Sequence, residues 1–216
     1  MNLMSSHFET LADARTPVAR VGRCIRKRCL DFTFSALLLL LLAPLFALIA
    51  VAIKLESKGP VFFRQERTGL GGAPFTILKF RSMRLHDDQQ VVQASRRDAR
   101  ITRVGAFIRA LSIDELPQLL NVLRGDMSLV GPRPHALAHD ARWTVMVPDY
   151  RQRFRARPGL TGYAQVRGNR GEVFSTADIT ARVLDDNAYI ERWSLMLDFR
   201  IVLNTIPLIF ADPNAY

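Results

Sequence analysis

The sequence predicts an α+β protein, mostly helical, that is attached to a membrane. Three observations lead there. An uncharged run of 22 residues, 32–53, contains six consecutive leucines, Leu37 to Leu42. Two short segments rich in aromatic and β-branched residues follow it, flanking a glycine-rich turn. Beyond them, apolar residues recur at helical spacing in several stretches. Composition agrees with this reading. The chain has 216 residues, with 30 Lys and Arg against 20 Asp and Glu, a net charge of +10. Apolar residues make up 49%, too many for a disordered basic tail. A mean hydropathy of +0.05 in so basic a chain implies one apolar segment that lifts the average. Cys24 and Cys29 are too few for a disulfide framework or a zinc site and read as reduced bystanders.

Residues 1–23 are a polar, arginine-containing lead, expected to be an arm or a short surface helix. The apolar run would form a helix of about 33 Å, enough for a bilayer core of about 30 Å. It starts too far into the chain, with no small-residue cleavage site after it, to be a signal peptide. Arg20, Arg23, Arg26, Lys27 and Arg28 precede it, and Lys54, Lys58, Arg64 and Arg67 follow. Positive charge marks the cytoplasmic side, and here both ends carry it. Pro44, at the midpoint, removes one helix hydrogen bond. Two readings remain open at this point: a spanning helix with a proline kink, and two limbs that enter and leave one leaflet.

After the membrane segment the chain becomes mixed and globular. Residues 61–63 and 75–80 read as strands around Gly69-Leu70-Gly71-Gly72. Residues 101–110 are basic and partly helical, and 115–123 and 136–147 read as helices. Residues 157–162 form a turn and 177–193 a helix. Residues 195–210 are apolar, with an interruption at Pro207. The glycines at 69, 71 and 72 lack the Gly-Lys-Ser/Thr of a phosphate loop. His135 and His139 lack the central Glu of a zinc protease motif and alone leave a zinc site short of ligands. The +10 charge raises the alternative of a membrane-anchored basic binding or scaffold protein. No basic stripe with interleaved aromatics is visible, so nucleic acid is not expected as a partner.

The most informative local feature is Asp114-Glu115-Leu116-Pro117. Pro117 is tolerated only in a first helical turn, so a helix is expected to begin near Asp114. Leu116, Leu119, Leu120 and Leu123 would form its buried stripe. Either a helix cap at Ser112 or Asp114 or a functional carboxylate pair fits that position. Arg133 stands between Pro132 and Pro134, whose fixed φ angles hold the backbone, and a guanidinium held in this way suits a phosphate. Lys79 and Arg81 at the end of the second strand are further candidates.

These motifs resemble a known family. Lys79-Phe80-Arg81-Ser82-Met83, Asp114-Glu115-Leu116-Pro117-Gln118, Gly125-Asp126-Met127-Ser128-Leu129-Val130-Gly131-Pro132-Arg133-Pro134 and Arg157-Pro158-Gly159-Leu160-Thr161-Gly162 are similar to the bacterial sugar transferases, the monotopic polyprenyl-phosphate phosphoglycosyl transferases. The resemblance runs from about Lys27 to Thr205. It implies a re-entrant helix–break–helix with Ala43-Pro44 at the break, surface amphipathic helices and a small β-hairpin. Residues 1–23 are then a basic arm, 24–54 the membrane segment and 55–216 the catalytic domain.

The reaction implied is transfer of a sugar-1-phosphate from a UDP-sugar to undecaprenyl phosphate, releasing UMP, through an aspartyl-phosphosugar intermediate. By resemblance Asp114 is the nucleophile and Glu115 holds Mg²⁺. Lys79, Arg81, Arg109, Arg133 and Asp186 bind substrate. The stretch from Gly131 to His139, with Gly168-Asn169-Arg170-Gly171-Glu172, resembles the branch that starts exopolysaccharides, which implies UDP-glucose. Galactose or an N-acetylated sugar is the alternative. The resemblance further implies the cytoplasmic face of a bacterial inner membrane, contact with membrane lipids, downstream glycosyltransferases as partners, and compatibility with a homodimer.

Overall fold

The computed structural model describes residues 16–84, 98–169, 171 and 175–211. Part of the expected arm (1–15), and Arg170 and Glu172 of the exopolysaccharide-type motif, lie outside the described residues. Of the two expectations for the lead, its remainder shows the short helix, docked against the domain. Thr16 N donates to Gly71 O (3.2 Å) and Ala19 N to Arg155 O (2.9 Å), ahead of a short helix α1 (Arg20–Arg23). Val21, one apolar residue among arginines and so without any periodic signature, is buried in the core beside Tyr189 and Ile201.

The leucine-rich run lies within one helix, α2 (Ile25–Glu56), of 32 residues, about 48 Å long at ordinary helical rise. It passes through Ala43 and Pro44 without the expected interruption. Proline removes a single backbone hydrogen bond, which membrane helices tolerate. Leu40 and Leu41 are 76% and 74% exposed. Apolar surface of this extent is a membrane-association surface, and α2 is long and apolar enough to cross a bilayer. Only its two ends are tied to the domain. Near the start, Lys27 bonds Asp198 (2.7 Å), Asp31 accepts from Ser128 Oγ (2.8 Å), and Arg28 donates to the carbonyls of Val122 and Leu123. Near the end, Ile49 and Ile53 pack with Phe80 and Ile108, and Phe46 meets Phe80 edge-on at 5.0 Å.

The hairpin is longer than predicted. Strand β1 (Phe62–Thr68) pairs antiparallel with β2 (Pro74–Phe80), from Phe62 opposite Phe80 to Thr68 opposite Pro74. Gly71 and Gly72 turn the chain at φ 68° and 90°, a left-handed region that glycine enters without strain. Among the described residues no third strand covers the other edge of β2. Asn121 does so instead: its amide accepts from Leu78 N (2.9 Å) and donates to Thr76 O (2.7 Å), satisfying groups that burial would otherwise orphan.

Helix α3 (Arg103–Ala110) leads to α4 (Gln118–Arg124), and strand β3 (Ser128–Val130) follows. The segment expected to be a simple turn contains strand β4 (Gly159–Thr161), parallel to β3. The two backbones approach so closely that a Cβ on Gly159 would stand 2.1 Å from Gly131 N; a glycine is required there. Helices α5 (Leu137–Met146), α6 (Tyr163–Val166), α7 (Thr176–Arg192) and α8 (Leu195–Ala211) complete the order. A capping box of Ser175 and Asp178 starts α7. Helix α8 continues through Pro207, where an interruption was expected.

Candidate active site

The carboxylate pair stands in a turn between α3 and α4. The hydroxyl of Thr102 accepts from Gly105 N (2.9 Å) at the start of α3, and Glu56, the last residue of α2, accepts from Arg103 N (2.6 Å) and Val104 N (2.9 Å). Ser112 then takes the left-handed conformation (φ 55°), a cost for a residue with a Cβ that is typical of functional turns. A single 3₁₀ turn, Ile113–Glu115, carries the two acids, and α4 begins only at Gln118. The helix expected to start at Asp114 thus starts four residues later, because Pro117 takes its N-cap. Ser112 makes no side-chain cap. The leucine stripe is corrected as well. Leu119 is fully buried, but Gln118, Asn121 and Val122 share the interior with it, because this short helix packs against both α2 and β2.

Two chain segments converge on Glu115. Lys79 Nζ of β2 reaches Oε1 at 2.7 Å. Arg133 closes a fork on the same carboxylate, Nη2 to Oε1 at 2.6 Å and Nη1 to Oε2 at 3.0 Å. Burial opposes this charge, but Arg133 and then Lys79 overcome it and hold Glu115 well below the usual carboxylate range. Asp114 moves the opposite way. Burial, reinforced by the neighbouring Glu115, raises it to about 6 against the pull of Lys79, Arg109 and Arg133. Asp114 is therefore a carboxyl poised near neutrality, its anion facing three cations. That pairing of environments suits a nucleophile beside a charge-organising partner.

Arg81 is not part of this cluster. Its guanidinium turns away to the end of α2, donating to Ser57 O (2.8 Å), Ser57 Oγ (2.9 Å) and Lys58 O (2.5 Å). Arg81 thus diverges from the substrate role expected of it: it follows the last residue of β2, and the carbonyls freed where α2 ends capture its guanidinium. Asp186 stands one layer behind the site. It bonds Arg153 Nε at 2.8 Å, and Arg153 Nη2 donates to the backbone carbonyl of Arg133 (2.6 Å).

Arg153 carried no signal in the sequence, nor did Tyr150 and Asp140 beside it. Its Nη1 lies 2.9 Å from His135 Nδ1 and 3.0 Å from the Tyr150 hydroxyl, which donates to Asp140 (2.5 Å). Burial, and then Arg153, keep His135 neutral, far below its ordinary pKa. The His135 and His139 rings pack against Trp143 at 4.7 and 5.1 Å. Among the described residues no group of three or more His, Cys, Asp or Glu is placed to hold a metal. The adjacent Asp114 and Glu115 are the hard oxygen donors available, and the burial that raises Asp114 is a cost that a cation would relieve.

Comparison with known proteins gives this geometry a family. The bacterial sugar transferase profile matches residues 22–212. The UDP-glucose:undecaprenyl-phosphate glucose-1-phosphate transferase of Caulobacter vibrioides is 57% identical over 201 residues, covering 93% of this chain and 75% of that protein. The protein of the same name from Escherichia coli K12 is 45% identical over 202 residues, 93% of this chain but only 43% of its own length. Exopolysaccharide production protein PSS of Rhizobium leguminosarum bv. phaseoli is 46% identical over 187 residues, 84% of this chain and 94% of that one. With a match over nearly its whole length, the chain belongs to the bacterial sugar transferase family.

Proposed function

We propose that this protein transfers glucose-1-phosphate from UDP-glucose to undecaprenyl phosphate and releases UMP. The observation that carries the reading is Asp114 itself: a carboxyl held at about 6, with three cations around it and a fully paired acid, Glu115, beside it. A carboxylate is a weak nucleophile toward an anionic diphosphate, so neutralised surroundings are the main requirement. An Asp114 oxygen bonds to the phosphorus that bears the sugar, and the bond from that phosphorus to the bridging oxygen breaks. UMP leaves with the electron pair. An oxygen of undecaprenyl phosphate then attacks the same phosphorus, and the Asp114 carboxylate is released unchanged. Lys79 and Arg133 pass from Glu115 to the donor oxygens, while Arg109 shares the charge on the transferred group. Mg²⁺ would be held by Glu115 together with phosphate oxygens, where it supplies further charge neutralisation.

The same reading places the catalytic domain on the cytoplasmic face of a bacterial inner membrane, with α2 re-entrant. Basic residues at both ends of α2, and the packing of both ends on one domain with an exposed middle, support that arrangement. Downstream glycosyltransferases would take up the lipid-linked product.

Purified protein incubated with UDP-glucose and undecaprenyl phosphate should release UMP, and a panel of UDP-sugars, including galactose and N-acetylated forms, should rank glucose first. Enzyme trapped with donor alone should show by mass spectrometry a phosphosugar adduct on Asp114. An adduct elsewhere, or none under turnover, rejects the mechanism. Labels at residues 10 and 60 that prove accessible from opposite sides of sealed vesicles reject the re-entrant helix.

A further inference from the structure

Behind Arg133 lies a second group of cations that the two chemical steps leave unused. Arg182 of α7 places Nη1 3.4 Å from His135 Nε2, opposite the nitrogen that meets Arg153. Arg67 of β1 reaches the carbonyl of Pro134 at 3.4 Å, and β1 and this segment also form a backbone bridge, Arg67 to Ala136. Four guanidiniums from four parts of the chain thus gather around Arg133-Pro134-His135, each close enough to disfavour a charge on the His135 ring.

Their charges are not equally answered. Arg133 has Glu115 and Arg153 has Asp186. Among the described residues Arg67 and Arg182 have no carboxylate at ion-pair distance, and the Nε of each is buried without a hydrogen-bond partner. Arg182 is only 6% exposed. Burial first, and then the field of Arg133, lower both arginines to about 10. Arg67 Nη2 donates to Gln65 Oε1 (2.5 Å) and Arg182 Nη2 to Gly171 O (2.9 Å), and Asp140 and Asp186 offset part of their charge from farther off; neutral acceptors and distant carboxylates leave a cost of gathered like charge that a bound anion would return.

We infer that Arg67 and Arg182, together with Arg133, form a second anion subsite that receives the phosphate of the departing nucleoside monophosphate. This rests on the transferase reading and says where its charge goes. When the phosphorus–bridging oxygen bond breaks, the electron pair stays on that oxygen, and the leaving group becomes a phosphate monoester dianion. Lys79 and Arg109 face the phosphoryl group that Asp114 takes. Arg133 is shared, and Arg67 and Arg182 stand on its far side, where the leaving charge is delivered.

The probe is UMP, with Arg67→Gln and Arg182→Gln compared against the unaltered protein. Each variant should weaken UMP product inhibition about tenfold or more, the value of one charge-assisted contact. Each should also shrink the rise in Tm that UMP gives. The KM for undecaprenyl phosphate should stay within about twofold. Arg182→Gln is read only where it keeps a cooperative thermal transition; the half-buried Arg67→Gln carries the test alone if it does not. Unchanged UMP inhibition in Arg67→Gln overturns the subsite. So does a raised lipid KM with UMP inhibition intact, which assigns these arginines to the acceptor phosphate instead. Unaltered protein that releases no UMP from UDP-glucose rejects the transferase reading, whereas normal turnover with UMP inhibition unchanged in the variants rejects only the subsite.

Discussion

Two buried charge clusters lie close to the sheet formed by β3 and β4, and they are built on opposite principles. At the base of the membrane helix, Lys27 bridges Asp198 (2.7 Å) and Asp31 (3.8 Å). Asp31 also accepts from Ser128 Oγ and Leu129 N, and Asp198 from Tyr189 and Trp193. One cation thus answers two carboxylates whose remaining oxygens are hydrogen-bonded. Around Arg133 the balance reverses. Lys79, Arg67, Arg109, Arg133, Arg153 and Arg182 face Asp114, Glu115, Asp140 and Asp186, and burial raises Asp114 and Asp140 to about 6. The cluster at the helix base answers its excess negative charge internally, with donors from Ser128, Leu129, Tyr189 and Trp193. One that leaves positive charge over is built for a ligand that brings its own.

The largest effect should come from the acid at the centre of the unbalanced cluster. Asp114→Asn should lower UMP release by at least about 10³-fold while raising Tm by a few degrees, since it removes a carboxylate that burial disfavours. A variant that is both active and less stable would erase the contrast. Next is the cluster at the helix base: Lys27→Met leaves two carboxylates without their cation and should cost about 3–5 kcal/mol in unfolding experiments. Activity per folded molecule should be nearly unchanged.

The contrast also has a pH signature. With its pKa raised from 3.8 to about 6, folded Asp114 keeps a proton that the unfolded chain releases between roughly pH 4 and 6. Stability should therefore fall as pH rises through that window, with Asp140 adding in the same direction. Asp114→Asn should flatten the slope. Single-turnover adduct formation should rise about tenfold per pH unit below 6 and level off above it. The smallest effect on function is expected at Arg81. Arg81→Met should cost about 2 kcal/mol of stability through its lost carbonyl contacts, yet leave the donor KM within about twofold.

Much of the fold could be read from patterns that act locally. The leucine run, the hairpin, and helices α5, α7 and α8 follow from periodicity and turn residues, and Pro132 and Pro134 marked Arg133 as a held side chain. Long-range closures were not legible. Nothing near Gly159 announces that it lies against Gly131, and nothing around Arg153, in a run of alternating arginines and aromatics, says which one turns inward to Asp186. His135 and His139 drew attention as a metal spacing, but their rings pack against an indole that the same helix supplies. Arg67 read as a flanking charge of the membrane segment, because a strand's facing partner is fixed only once the hairpin has docked. Arg81 shares a motif with Lys79 but not a destination: it lies just past the end of β2, where the carbonyls freed at the end of α2 capture its guanidinium.

The carboxylate of Glu56, closing the last turn of the long helix, seats the amides of Arg103 and Val104, and α3 leads directly into the reactive turn. At the other extremity Asp31 secures the strand from which Arg133 emerges. The hydrophobic rod therefore acts as a depth gauge. Bolted at each end to a different wall of the reaction chamber, it would, on the proposed membrane arrangement, set the height of Asp114 above the lipid tails. An isoprenoid acceptor whose headgroup floats at a constant level would meet its target by lateral diffusion alone.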